Sequence, residues 1–382
     1  MKEDNNISVN AKVLLWARES LAINRNSASE KTGISPRRLM LLEEGEKQPT
    51  IEELKQLSKA YKCTIATLLL NKTPKEKPLP ADRRTIDSKE LGRFHEKTIM
   101  AVRKARALAQ SLVELQEETN ASFPKFNLSA TINDNPKEVA EKIRHLIKLD
   151  EVRKINNVKI ALETYIEKVE SLGVAVFQLS LTQDNIRGFA IVDDIIPIIG
   201  MKRGSEQTYS TTFTLFHELG HILLNEGALC DLSLNSKWKI EKWCNAFSAE
   251  ILIPTSEILR MEIVQEYKSA GQKIWAKKDL IVLANNFHVG PLAILRTLLE
   301  NGLTTKAFYS EKHEEWNKPQ FGRAKNPEGR NFAKEAIQEK GKTYVNLAFK
   351  AFDQNRINIK DLSDFLGVKL SYIPKTRQLL NF

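Results

Sequence analysis

The sequence predicts a multidomain, mainly α protein with one small sheet near its middle. At 382 residues the chain exceeds one ordinary domain, so two or three are expected. Apolar residues recur at helical spacing along most of the chain, and strand-like runs appear only after Gly173. A segment rich in Pro, Lys and Arg at 71–85 separates the first helices from the rest. The predicted divisions are 8–70, 71–135, 136–310 and 311–382.

Residues 8–70 are predicted to form five short helices. The second and third are joined by the turn Thr32-Gly33-Ile34-Ser35, where Gly33 supplies a backbone position that most residues adopt only at a cost. Ser35 is the predicted N-cap of the third helix, and Pro36 takes its first helical position. Two short helices joined by a Gly-containing turn are the layout of a helix-turn-helix, whose second helix is placed to enter a major groove.

This segment resembles the XRE (lambda-repressor-like) family of helix-turn-helix domains. The residues that carry the resemblance are Thr32-Gly33-Ile34-Ser35, Glu43-Glu44-Gly45, Pro49-Thr50 and the run at Leu54, Leu57 and Tyr61. The second helix departs from the family's Gln-Glu-x-Leu-Ala pattern, because this chain has Asn26-Ser27-Ala28-Ser29-Glu30 there. The resemblance implies an all-α domain that binds double-stranded DNA.

Three residues at the exposed start of the third helix are candidate DNA contacts: Ser35, Arg37 and Arg38. An Arg guanidinium reads guanine edges with two hydrogen bonds or holds phosphates. The alternative for both arginines is a solvated helix face. A competing role for the whole module is docking onto another helix-turn-helix protein.

A connector and a small sheet are predicted next. The segment 71–135 combines the Pro-rich basic linker with a helix over 88–118, whose apolar face would pack on the following domain or form a homodimer contact. Polar residues at 120–135 predict a loop. Two further helices are expected, one at 136–149 and one that ends near 172. Three strands are expected at 174–179, 186–192 and 195–199.

The pentapeptide His217-Glu218-Leu219-Gly220-His221 lies in an apolar run and predicts a metal site. Residues four apart share a helix face, so His217 and His221 can hold one ion between them. Glu218 is then close enough to take a proton from a water at the metal. This is the H-E-x-x-H signature of a zinc metallopeptidase. The alternative is a pair of core histidines with no metal and a surface acid.

A catalytic zinc site needs a third protein ligand and an open position. Glu241 lies 20 residues after His221, in a helix that Pro254 ends. Asn245 shares its face and is a candidate to orient a ligand histidine. Glu250, in the same helix, is the competing third ligand; the position of Asn245 favours Glu241.

The two helices together resemble the ImmA/IrrE family of metallopeptidases. The family pattern is close to F-T-L-A-H-E-L-G-H, then E-x-x-A-N-x-F-A-A-x-L-L-M-P, and this chain follows it over 213–221 and 241–254. It departs at Phe216, Cys244, Ser248, Ile251 and Ile253, of which Cys244 stands next to the metal helix. The resemblance implies an α+β zincin-like domain with one Zn²⁺ on His217, His221 and Glu241, and Glu218 as the catalytic base. Family members destroy a partner repressor under stress.

Composition bounds the partners and the compartment. The net charge of +10 favours an anionic partner such as nucleic acid, or else reflects a surplus of solvated lysines. The three cysteines, Cys63, Cys230 and Cys244, form no C-x-x-C pair, which suits a reducing cytosol. No signal region and no membrane-length apolar run are found, so a cytoplasmic protein without a membrane partner is expected.

Three functions remain open from the sequence. The first is a regulatory zinc endopeptidase that cleaves a helix-turn-helix repressor in a stress or mobile-element response. The second is a transcriptional regulator whose peptidase-like domain senses or binds, and the third is an antitoxin-like protein that acts by binding. Three helices are predicted after Pro254, at 255–268, 278–288 and 291–301. A polar linker at 311–330 and a helical C-terminal region follow, and no chemistry is assigned to that region.

Overall fold

The structure, a computed structural model, describes residues 7–77, 79, 95–121, 123–181, 186–192, 195–204, 208–225, 234–316 and 330–380. The side chains of 208 and 234–237 are not among those described. The chain divides into two compact units, Met1–Arg103 and Lys104–Phe382. The mainly α architecture with one small sheet is confirmed.

The first unit contains the five predicted helices. They are α1 (Ala11–Glu19), α2 (Arg25–Thr32), α3 (Pro36–Glu43), α4 (Ile51–Ala60) and α5 (Ile65–Leu68). Ser35 caps α3 by accepting a hydrogen bond from the backbone N–H of Arg38, as predicted. Gly33 ends α2 with φ of +73°, a left-handed conformation that glycine adopts without cost.

Two arginines pair with one buried carboxylate and join three of these helices. Glu43 accepts hydrogen bonds from Arg18 Nε (2.6 Å) and Arg25 Nε (2.8 Å). Leucines from α1, α3 and α4 pack around it in one core. A carboxylate this deeply buried requires a cationic partner. The contacts of Glu43 with Arg18 and Arg25 therefore hold α3 against α1 and α2.

Helix α6 (Glu96–Thr119) follows, and the division between the two units falls within it. The sequence predicts that this helix begins at 88, but residues 88–94 lie outside the described residues. The predicted polar loop before 136 has neither helix nor strand where it is described. Helix α7 (Pro136–Leu146) stops short of 149, because Lys148 turns into a left-handed conformation before a 3₁₀ segment at Leu149–Lys154. Helix α8 spans Val158–Glu170.

The sheet has three strands in the order β1-β3-β2. Strand β1 (Ala175–Leu179) pairs in parallel with β3 (Ile198–Lys202), in a register that places Ala175 opposite Ile198. Strand β2 (Gly188–Ile191) pairs antiparallel with β3, Gly188 opposite Met201. Helix α9 (Thr208–Leu223) packs on β2 and β3, so β2 is the edge strand beside it.

Helix α10 (Leu234–Leu252) packs against both α9 and α7. The single helix expected over 255–268 is instead two, α11 (Thr255–Ile258) and α12 (Glu262–Ser269), separated by a turn. Helices α13 (Lys277–Asn286) and α14 (Pro291–Glu300) complete the core. Within the described parts of the chain, no single helix is long and apolar enough to cross a membrane. The pair α13 and α14, bent by 96°, meets that test together.

The last helices are α15 (Lys306–Trp316), α16 (Phe332–Asp353), α17 (Ile359–Leu366) and α18 (Ile373–Leu380), with a 3₁₀ turn at Leu370–Tyr372. The predicted linker at 311–330 is wrong for 311–316, because α15 continues through them with Phe308 buried and Lys312 paired to Glu311 and Glu315. Residues 317–329 lie outside the described residues. Helix α16, kinked at Gly341, packs on β1.

Candidate metal centre

Two helices bring the candidate metal ligands together. His217 and His221 lie one turn apart on α9, and their Nε2 atoms are 3.1 Å from each other. The two rings are nearly perpendicular, at 81°. Apolar neighbours on the same helix, Phe216 and Leu219, are fully buried and hold α9 in the core. The four-residue spacing therefore presents both imidazoles to one point.

Glu241 on α10 faces both histidines. Its Oε2 lies 3.2 Å from Nε2 of His217 and its Oε1 lies 3.4 Å from Nε2 of His221. Among the described residues, this is the group of three or more His, Cys, Asp or Glu side chains spaced to hold an ion. One carboxylate thus spans the gap between two imidazoles.

These distances fit zinc. Bonds of about 2.0–2.1 Å from zinc to nitrogen or oxygen put tetrahedral ligand atoms roughly 3.3 Å apart. Nε2 of His217 lies 3.1 Å from Nε2 of His221 and 3.2 Å from Oε2 of Glu241. One ligand atom from each of the three side chains lies within 4.8 Å of the other two. Oε1 of Glu241 is also buried without a hydrogen-bond partner, which a cation would supply. The donor set of two imidazoles and one carboxylate suits a catalytic zinc that keeps one open position.

The electrostatics of the three side chains favour a carboxylate in contact with imidazoles. Burial raises the pKa of Glu241, but the close contacts with the imidazoles of His217 and His221 outweigh this effect and lower the pKa to about 2. Burial lowers the pKa of His217, and the hydrogen bond to Glu241 with the charges of Glu218 and Glu241 reverses this, so that the net pKa is raised. Glu241 is therefore ionised at any physiological pH.

Glu218 follows His217 on α9 and is only 8 % exposed. Strand β2 runs directly against it: a Cβ atom added to Gly188 would stand 3.1 Å from Cγ of Glu218 and 2.6 Å from Thr214. The missing side chain at 188 lets the edge strand approach this part of α9 closely. The carboxyl group next to the metal ligands thus lies beside an edge strand.

The two other residues predicted on α10, Glu250 and Asn245, have different partners. Glu250, the competing ligand, accepts hydrogen bonds from the backbone N–H (2.8 Å) and the hydroxyl (2.6 Å) of Thr255, so it holds the start of α11 and not the histidines. Asn245 contacts His217 and contributes to the raised pKa of that imidazole. The contact is looser than a hydrogen bond of standard geometry, since Nδ1 of His217 has no such partner.

In the sequence, Cys244 stands out only as a departure from the ImmA/IrrE pattern. Its Sγ lies 3.4 Å from Nδ1 of His221. Its place three residues after Glu241, one helical turn along α10, was the available signal.

The candidate DNA contacts lie on α3 in the first unit. Ser35 and Arg37 are exposed. Arg38 instead donates to both carboxylate oxygens of Glu53 (2.8 and 2.9 Å) and to the carbonyl of Gln48 (2.9 Å). That hydrogen-bonded pair is the main cause that lowers the pKa of Glu53. DNA contact by these residues stays a prediction, with Arg37 the more available of the two arginines.

Comparison with known proteins identifies two domain families. Residues 169–299 match the family model of the IrrE N-terminal-like domain, a peptidase family, and residues 14–68 match that of a helix-turn-helix. No curated protein and no solved structure matches the chain. The two matches confirm the predicted order of an XRE-type helix-turn-helix domain followed by an ImmA/IrrE-type metallopeptidase domain.

Proposed function

We propose that this chain, in which an IrrE-type metallopeptidase domain follows a helix-turn-helix domain, is a regulatory zinc endopeptidase that cleaves a DNA-binding repressor. The observation that carries the proposal is the convergence of His217, His221 and Glu241, whose ligand atoms lie within 4.8 Å of one another. Glu218 stands beside them on the same helix. The fold alone would not identify an activity, because one fold can serve many functions.

The residues divide the work of peptide hydrolysis. His217, His221 and Glu241 would hold one zinc ion. When bound, zinc supplies Lewis acidity, which polarises a peptide carbonyl and lowers the pKa of water. Glu218 acts as the general base that accepts a proton from the attacking water and passes it to the leaving amine. Its burial beside β2 restricts the motion of this side chain.

The edge strand β2 offers a way to hold the substrate. An extended peptide adds to an exposed strand edge through main-chain hydrogen bonds. Helix α16 packs against β1 at the opposite edge of the sheet, whereas β2 adjoins the helix that carries Glu218. We therefore expect the scissile segment to lie along β2, extended and accessible in the substrate.

The helix-turn-helix domain supports a repressor as the substrate. A DNA-binding module would carry the peptidase to the sites where repressors bind, or would dock on the repressor's own domain. Because DNA and repressor share one compartment in that scheme, we propose that the protein acts in the cytoplasm. The repressor itself is defined by its chemistry: a helix-turn-helix protein with an extended, cleavable segment.

The proposal is tested with Glu218→Gln. The amide keeps the size of the side chain but cannot accept the proton, so cleavage should fall by about a hundredfold to ten-thousandfold while zinc and DNA are still bound. Wild type and variant are incubated with zinc and a co-encoded helix-turn-helix repressor, and new protein termini are identified by mass spectrometry.

Glu250→Gln is the matched control, because Glu250 lies on α10 but engages Thr255 instead of the histidines. It should cleave as wild type does. If Glu218→Gln removes the repressor as fast as wild type, the peptidase proposal is wrong. The alternative would then be a regulator or antitoxin-like protein whose peptidase-like domain senses or binds.

A further inference from the structure

We infer that Cys244 is a positioning residue of the metal centre, whose sulfur holds His221 in the tautomer and orientation that binds zinc. The inference rests on the proposed zinc site and adds a residue to it. Sγ of Cys244 lies 3.4 Å from Nδ1 of His221. Nε2 of the same ring lies 3.4 Å from Glu241 and 3.1 Å from His217. One ring nitrogen thus faces the ligand cluster and the other faces the thiol.

Ligand chemistry requires such a partner. An imidazole that gives the lone pair of Nε2 to a metal carries its proton on Nδ1, and that N–H needs an acceptor. Here the N–H donates to the sulfur of Cys244. His221 is 2 % exposed and Cys244 is fully buried, so bulk water does not reach this hydrogen bond. An unpaired N–H at this depth would be costly, which biases the ring toward the arrangement that keeps the bond.

The packing of α9 on α10 places the sulfur there. A Cβ atom added to Gly220 would stand 3.1 Å from Sγ and 3.3 Å from Cβ of Cys244, so the two helices touch at this point. Cys244 also follows Glu241 by about one helical turn. The same turn of α10 therefore supplies one ligand and the hydrogen-bond acceptor of another, and any shift of α10 would disturb both.

The experiment compares Cys244→Ala with Cys244→Ser in the full chain. Zinc Kd is measured by competition with a chromophoric chelator, and the visible spectrum is recorded after cobalt substitution. Cys244→Ala removes the acceptor and should raise the zinc Kd about tenfold, the lower end for such partners because sulfur is a weak acceptor. Cys244→Ser restores an acceptor and should bring the Kd back to within roughly threefold of wild type.

The cobalt spectrum should change in the Ala variant and return toward wild type in the Ser variant. Cys63→Ala removes a thiol from the first unit and should leave both readouts unchanged. A residue that only fills space would lower the melting temperature of the metal-free protein without changing the Kd. If Cys244→Ala binds zinc as tightly as wild type, the inference is overturned.

Zinc binding is read without substrate, so this inference and the proposed function fail separately. A wild type that binds zinc but leaves every candidate repressor intact overturns the peptidase and leaves the role of Cys244 standing. If the wild type cleaves a repressor and Cys244→Ala leaves the zinc Kd unchanged, the peptidase stands and the role of Cys244 is overturned. A wild type with no specific zinc binding overturns both.

Discussion

At the residue scale, the candidate metal centre depends on one carboxylate that reaches two imidazoles. Glu241 comes from a different helix than the histidines, so it ties α10 to α9 at the site. Its pKa of about 2 keeps it anionic, which makes it the only permanently charged member of the triad. Glu241 therefore contributes the negative charge of the proposed ligand set, and the histidines contribute neutral nitrogen donors.

Replacing Glu241 by Gln should abolish specific zinc binding. The amide has a similar shape but no negative charge, and we expect the zinc content of purified protein to fall from about one equivalent to near zero. Metal analysis after dialysis measures it. Glu250→Gln should retain its zinc, since Glu250 caps the start of α11. The reverse result would make Glu250 the third ligand.

The chemistry of this site was largely predictable from local spacing. The four-residue interval of His217 and His221 fixes their relation on any helix, and Glu218 follows from it. Contacts between helices were not predictable in this way. The bond between Cys244 and His221 depends on how closely α9 approaches α10, and the pairing of Arg38 with Glu53 depends on the angle between α3 and α4. Neither is encoded in the spacing of residues along one helix.

At the element scale, helix α3 is held in place by a carboxylate that serves two purposes. Glu53 accepts the backbone N–H of Thr50 (2.9 Å) in the capping box of α4, and it also pairs with Arg38 (2.8 Å). The element expected to meet DNA is thereby anchored to its neighbour. The two adjacent arginines consequently have different roles, one exposed and one structural.

Substitution of the two arginines should separate binding from stability. Arg37→Ala should weaken binding to double-stranded DNA by about 1–3 kcal/mol if it reads a base, or lower the salt slope by about one if it holds a phosphate. Arg38→Ala should cost about 1 kcal/mol of unfolding free energy, because it breaks a partly exposed ion pair. Fluorescence anisotropy at several salt concentrations and chemical denaturation measure these effects. Unchanged DNA affinity in Arg37→Ala would instead favour docking onto a protein.

At the scale of the whole molecule, the C-terminal helices belong to the packing of the sheet. The polar residues before 330 predict that 311–382 is a region distinct from the peptidase domain. In the structure, Lys104–Phe382 forms one compact unit. Helix α16 kinks at Gly341 (φ +80°), where a Cβ atom would stand 2.9 Å from Oε1 of Glu170. Thr343 donates to the other oxygen of Glu170 at 2.5 Å. The kink therefore closes around a buried acid that ends α8.

This buried acid should make the stability of the unit depend on pH. Burial raises the pKa of Glu170 from an ordinary value of 4.5 to about 8. The hydrogen bond from Thr343 opposes this increase but is the smaller effect. Between these values the folded chain keeps a proton that the unfolded chain loses, so stability falls as pH rises from about 4.5 to 8. Glu170→Gln mimics the protonated acid and removes this loss. Its free energy of unfolding, measured by denaturation at each pH, should match wild type near pH 4.5 and exceed it increasingly up to pH 8, by at most about 1.4 kcal/mol per pH unit. Glu163→Gln, which alters an exposed partner of Lys342, should show no such trend. A difference between Glu170→Gln and wild type that stays constant across this range would mean that Glu170 is already ionised in the folded protein.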